Sequence, residues 1–106
     1  MAYDLMPPDM IRDVASRFRI LSEPARLELL NLLHVLGEST VQTLVDKTGN
    51  SQPNVSKHLL LMAREGILDR RKDGLQVYYS IADPSLSGLC LLVCGRLKEE
   101  ASQVRS

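Results

Sequence analysis

The stretch Thr40-Val41-Gln42-Thr43-Leu44-Val45-Asp46-Lys47-Thr48-Gly49-Asn50-Ser51-Gln52-Pro53-Asn54-Val55-Ser56-Lys57-His58-Leu59 decides the fold. Val41, Leu44 and Val45 share one face at helical spacing, which predicts a short helix from Thr40 to Thr48. Gly49-Asn50 breaks it. Ser51 is a good N-cap, and Pro53 falls in the first turn of the next helix, where a missing N–H costs little. That helix is expected to reach about Glu65, with Val55, Leu59 and Met62 inward and Gly66 as its stop. Two helices joined by a tight Gly-containing turn form a helix-turn-helix, placed at about residues 40–65.

Beyond it, Ile67 to Lys72 reads as a strand and Asp73-Gly74 as a hairpin turn. Leu75 to Ile81 reads as the return strand, with Leu75, Val77, Tyr79 and Ile81 on one face. This ribbon, about residues 67–81, is marginal alone and must pack on the helices. Asp83-Pro84 opens a last helix to about Ala101, and Ser102 to Ser106 read as frayed. On the other side, Pro7-Pro8-Asp9 starts a helix carrying Met10, Ile11, Val14, Ala15, Phe18 and Leu21. A second helix follows, with Ser22 as its cap and Pro24 in its first turn. Its residues Leu27, Leu29, Leu30, Leu32, Leu33 and Leu36 cover most of the circumference, which places it centrally, and Gly37 ends it.

The reading is therefore mainly α with a two-stranded β-hairpin. Four helices, two strands and a fifth helix form one winged helix-turn-helix domain over residues 1–106. With only Phe18, Tyr3, Tyr78 and Tyr79 as aromatics, the core must be built from aliphatic side chains. A domain this small buries a limited core, so help from a partner chain is plausible. The last helix contains Leu89-Cys90-Leu91-Leu92-Val93-Cys94, apolar on both faces. One face can cover the core, while the other calls for a second protein surface, and a symmetric dimer is the commonest answer. The bland alternative is a helix buried within the monomer.

Net charge is zero, a mild argument against a nucleic-acid binder. Its distribution favours one slightly. From Val55 to Tyr79, Lys57, Arg64, Arg70, Arg71 and Lys72 outnumber Glu65, Asp69 and Asp73 by two. No apolar run is long enough to span a bilayer, and the first ten residues lack a signal-peptide pattern. The expectation is a cytoplasmic chain with no membrane partner and with Cys90 and Cys94 as reduced thiols.

A reading helix presents polar side chains from its N-terminal end to base edges in the major groove. Gln52, Asn54, Ser56 and Lys57 lie off the Val55/Leu59/Met62 face. Gln and Asn each pair with adenine through two hydrogen bonds, while Lys57 and the free amides of the first turn suit phosphates. A merely solvated face would also be polar, but here it is rich in amides and hydroxyls rather than Glu and Lys. In the hairpin, Arg70, Arg71, Lys72 and Gln76 suit the DNA backbone or minor groove. Charge protecting an edge strand uses the same chemistry and stays an equal alternative.

At this point the chain resembles the ArsR/SmtB regulators. Leu21-Ser22-Glu23-Pro24-Ala25-Arg26-Leu27-Glu28-Leu29-Leu30 is similar to their L-x-x-P-x-R-L-x-I-L signature. Val55-Ser56-Lys57-His58-Leu59 and the Gly66-Ile67-Leu68, Arg70-Arg71-Lys72-Asp73-Gly74 and Tyr78-Tyr79-Ser80-Ile81 segments resemble further motifs, in the same order. The resemblance covers about Arg17 to Val93. It implies a homodimer built through the first helix (about 8–21) and the last (about 84–101). It also implies repression through an imperfect inverted repeat in double-stranded DNA, released by a small inorganic or thiol-reactive inducer. His58 follows the motif and is expected to pack or to contact phosphate.

The resemblance also narrows the inducer. A third-helix Cys-x-Cys is absent from Thr40 to Val45. The last helix begins Asp83-Pro84-Ser85 and has no His, so the usual zinc-type ligand sets are missing. The second-helix Cys of sulfur-sensing relatives has no counterpart in Leu30-Asn31-Leu32-Leu33. Cys90 and Cys94 remain, four apart on one helix face, where they suit a soft metal ion, an arsenite-like metalloid, a persulfide or an oxidant. Buried Cys also serves as a small hydrophobe, which gives these thiols a packing role instead. Two further readings stay open: a winged-helix regulator with no inducer, and a protein-interaction winged helix that does not bind DNA. An enzyme is not expected. The chain offers no phosphate-cradling glycine loop, no metal-ligand cluster and no nucleophile beside a His.

Overall fold

The computed structural model describes residues 5–105, with the side chains of 104 and 105 left aside. The domain expectation for residues 1–4 and 106 lies outside them. After a 3-10 turn at Pro8–Met10 come α1 (Ile11–Leu21), α2 (Pro24–Leu36), β1 (Ser39–Thr40), α3 (Val41–Thr48) and α4 (Gln52–Arg64). Then follow β2 (Leu68–Asp73), β3 (Gln76–Ile81) and α5 (Pro84–Arg105).

Leu29, Leu44, Val55, Leu59, Met62 and Ile67 are the most deeply buried side chains. They come from α2, α3, α4 and the turn after α4, so the helix-turn-helix is welded to the central helix by its own apolar faces. Full burial stabilises such side chains by about 1.5–3 kcal/mol each. Leu68, Tyr79 and Leu86 extend the core under the sheet and the start of α5.

Sequence and structure differ in four places. The sheet has three strands in the order β1-β3-β2, not two, because Ser39 and Thr40 pair antiparallel with Tyr79 and Tyr78. Two residues carry too little pattern to announce a strand. The hairpin turn lies one residue later than the Asp73-Gly74 reading: Asp73 pairs with Gln76, leaving Gly74-Leu75 as the loop. Gly74, at the first loop position, has φ 61°, the pattern of a Gly-X turn. Leu75 is therefore fully exposed at the tip instead of lying on the inward strand face. Glu23, not Ser22, precedes α2, while the Ser22 hydroxyl donates back to the Arg19 carbonyl at 2.6 Å. Finally, α5 continues to Arg105 through the residues expected to fray.

Ile20 and Leu86 apart, most large apolar residues of α1 and α5 are only partly covered within the chain. Met10 of the 3-10 turn with Ile11 and Phe18 of α1 on one side, and Leu91, Leu92, Val93 and Leu97 on the other, are each about half exposed or more. Of the apolar residues expected on α1, none is as buried as Ile20, which the helical pattern had passed over. The radius of gyration is 16.1 Å, against about 13 Å for a compact domain of 100 residues. A 22-residue α5, roughly 33 Å long, accounts for part of that extension.

Candidate nucleic-acid interface

The polar face of α4 is set by how the helix begins. Ser51 has extended backbone (φ −66°, ψ 149°), and its hydroxyl accepts from the Asn54 N–H at 3.4 Å. Pro53 brings no N–H, and the Val55 N–H donates to the Ser51 carbonyl at 3.0 Å. The first turn thus offers phosphates fewer free amides than the sequence suggested, and phosphate contact falls to side chains. Val55, Leu59 and Met62 are buried, which turns Gln52, Asn54 and Lys57 to the outside and leaves Ser56 half-buried. Three exposed side chains capable of pairing or charge therefore stand on one rigid helix start, where base reading requires them.

His58 differs from these. It is half-buried, and its Nδ1 accepts from Arg26 Nε on α2 at 3.2 Å. Burial pushes the imidazole below its ordinary value, and the nearby Arg26 and Lys57 charges add to this while Glu23 opposes it. Arg26 carries no role in the sequence reading, although it stands in the same motif as Pro24.

The basic triplet of the wing is divided by the pleat. Leu68, Arg70 and Lys72 alternate with Asp69, Arg71 and Asp73, so Arg70 and Lys72 share the face that Leu68 buries. Arg70 Nε donates to the Tyr79 hydroxyl at 3.3 Å. Arg71 faces the other way. It holds Glu38 through two hydrogen bonds of 2.8 and 3.1 Å, and its guanidinium lies 4.5 Å from the centre of the Tyr78 ring. The Glu38 hydrogen bond lowers that carboxyl and raises Arg71. Lys72 and Gln76 stand exposed near the tip. Glu38 and Tyr78 were missed by sequence reasoning. Tyr78 opposite Arg71 follows from strand register, but the Glu38 contact, 33 residues away, had no local signal.

A second feature lies on the far side of α2. A groove of about 1050 Å³ runs between α2 and α5. Cys90 and Cys94 line it from α5, and Asn31, His34 and Glu38 are among its other lining residues. Cys90 is half-buried and Cys94 exposed. Among the described residues, no group of three or more His, Cys, Asp or Glu side chains stands close enough to hold a metal ion. The donor set of one chain is two thiols about 6 Å apart at their Cβ atoms, chemistry suited to a soft ion and not to a hard one. Asp83 closes the base of α5. It accepts from Ser85 through both the hydroxyl (2.6 Å) and the N–H (3.0 Å), and it pairs with Arg17 of α1 at 2.9 Å.

Known proteins are similar to this chain in sequence and fold. Residues 23–70 match the family described as bacterial regulatory protein, arsR family. A probable mercury resistance operon repressor of Streptomyces lividans is 40% identical over 81 residues. That match spans 76% of this chain but 64% of the relative, just under two thirds of its length. The crystal structure of the AntR antimony-specific transcriptional repressor superposes with a TM-score of 0.79 at 34% identity, covering 94% of this chain and 89% of that one. A solution structure of the homodimeric winged helix-turn-helix DNA-binding domain of Mb0332 from Mycobacterium bovis gives 0.75 at 27% identity, covering 91% and 88%.

Proposed function

The chain belongs to the ArsR family of bacterial regulatory proteins, and on that premise we propose that it works as a homodimeric repressor that lays α4 into the major groove of duplex DNA. It is a transcriptional regulator and not an enzyme. The observation that carries the proposal is the division of α4 into a buried Val55/Leu59/Met62 face and an exposed start bearing Gln52, Asn54 and Lys57. Gln52 and Asn54 read bases, Ser56 and Lys57 hold phosphate, and Lys72, Gln76 and Arg70 of the wing follow the backbone. Arg71 joins them once it leaves Glu38.

The exposed apolar side chains of α1 and α5 supply the dimer contact, as a monomer of this size does not leave so many apolar residues together without a partner. A twofold dimer reads two half-sites about one helical turn apart, so its operator is an imperfect inverted repeat. Fluorescence anisotropy with the DNA upstream of the chain's own gene, across a salt series, tests this. Affinity must fall steeply as salt rises, while retention of affinity at high salt, or no binding to that DNA, defeats the reading.

For the inducer we favour a thiol-reactive species at Cys90 and Cys94. Cys94 is exposed, both thiols open on one groove, and similar proteins are named for mercury and antimony resistance or repression. Thiolates hold such soft ions when they are bound, and the groove side chains set what fits beside them. Arsenite, antimonite, Hg(II) and a persulfide are the probes. Wild-type protein leaves DNA with at least one of them, and a Cys90→Ser/Cys94→Ser protein that still leaves normally overturns the assignment. A protein indifferent to all four is a regulator without a thiol inducer.

A further inference from the structure

Two stretches that carry the family resemblance meet in space, and they meet through one polar contact. Arg26 stands in the first turn of α2 and His58 in the second turn of α4, 32 residues apart. The remaining anchors of α4 are apolar: Val55, Leu59 and Met62. Such contacts hold a helix to the core but resist small rotations and slides only weakly, because dispersion and burial are not directional. The Arg26–His58 hydrogen bond is directional. It also lies beside the residues whose placement matters, since His58 is one turn beyond Asn54 and next to Lys57.

A guanidinium has five N–H donors and no acceptor. The imidazole nitrogen that faces Arg26 Nε at 3.2 Å must therefore carry a lone pair. Protonating it replaces the hydrogen bond with two cations in contact. We propose that Arg26 and His58 form a positioning latch that sets the angle of the reading helix, and that acidification opens this latch and weakens DNA binding. The proposal rests on the DNA-binding reading above. The charges around His58 fit it. From α2 come Arg26, which disfavours protonation, and Glu23, which favours it; from α4 comes Lys57, which disfavours it. Partial burial of the ring works in the same direction as the two cations.

The latch makes a prediction opposite to that of a histidine that simply touches phosphate. Phosphate contact is strengthened by protonation, so affinity would rise as pH falls. With the latch it falls.

The test pairs two measurements on the full chain. Imidazole signals of His58 and His34 are followed by NMR from pH 8 to pH 5 without DNA. His58 must titrate below the free imidazole range, and Arg26→Gln must raise it part of the way, since burial of the ring, the larger cause, remains. DNA affinity is then measured by anisotropy at fixed salt from pH 8 down through the His58 midpoint found by NMR, with circular dichroism confirming the fold at each pH. Wild-type affinity is expected to fall as pH passes that midpoint, toward a limit about tenfold lower, the scale of one hydrogen bond to a charged group. His58→Asn, whose side-chain oxygen sits near the Nδ1 position but does not titrate, must give a flat profile, and His34→Gln must keep the wild-type slope. Affinity that is flat or rises on acidification overturns the latch, as does a His58→Asn protein with the wild-type slope or an Arg26→Gln protein with an unmoved His58 titration. Failure to bind the upstream DNA at any pH removes the DNA-binding reading as well. A pH profile of the wrong sign removes the latch alone.

Discussion

Leu59 and Leu92 are the same residue type on two helices of one chain, and their surroundings are opposite. Leu59 is 0% exposed in the helix-turn-helix, while Leu92 on α5 is 73% exposed. The helix-turn-helix buries Leu44, Val55, Leu59 and Met62 within the chain, and α2 buries Leu29, Leu30 and Leu33 while leaving Leu27, Val35 and Leu36 exposed. The α1/α5 half buries Ile20 and Leu86 but leaves Phe18, Leu91, Leu92 and Leu97 exposed. In the dimer proposed above, the half that meets DNA completes its core within one chain, and the half that joins protomers does not.

The largest effect that can break this comparison is truncation of the two leucines. Leu59→Ala is expected to cost about 2–5 kcal/mol in urea unfolding, because the cavity has packed walls on all sides. Leu92→Ala should leave unfolding unchanged at dilutions where protomers are apart. Equal losses at both sites would erase the distinction. Next, Leu92→Glu places a carboxylate where the partner's apolar surface would lie, and sedimentation should show at least about tenfold weaker association. An unchanged sedimentation coefficient would move the dimer contact elsewhere.

On the DNA side, Gln52→Ala or Asn54→Ala should each remove about 1–3 kcal/mol of discrimination between operator variants. Lys57→Ala should weaken every sequence alike and reduce the salt slope by about one. Smaller still is Glu38→Gln, which releases Arg71 from its carboxylate partner. Affinity should rise at low salt and the slope should steepen by about 0.9, one added phosphate contact. No change would place Arg71 outside the interface.

The smallest effect concerns pH and the base of α5. The Ser85 hydroxyl, then the Ser85 N–H and Arg17, hold the Asp83 carboxyl below its ordinary value. A depressed carboxylate stabilises the fold above the ordinary Asp range, and that contribution disappears as pH falls through the lower folded value. Asp83→Asn should therefore cost up to about 1 kcal/mol at pH 7 and nothing at pH 2, read from unfolding curves at both pH values.

Much of the architecture was legible locally. The Ser51 cap with Pro53 behind it, the Val55/Leu59/Met62 face and the Gly49 and Gly66 stops each act within one or two helical turns, so adjacent residues reveal them. The polar start of α4 follows from the same pattern, and so does the surplus of apolar surface on α5. What failed was short or displaced. Ser39–Thr40 is too brief for a strand signal, and the hairpin turn moved by one residue, which carried Leu75 from the inward face to the tip. The triplet Arg70-Arg71-Lys72 looks uniform in sequence, yet the pleat sends its middle member to Glu38.

The sequence by itself determined the order of elements, the polar start of α4 and the surplus of apolar surface on α5, because periodicity, capping and turn chemistry are interactions between near neighbours. Only the tertiary structure decided which charged groups are occupied. Arg17 meets Asp83 across 66 residues, Arg71 meets Glu38 across 33, and Arg26 meets His58 across 32. Such partners are selected by the angles at which whole elements pack, and those angles are a property of the assembled core, which no single stretch of chain contains.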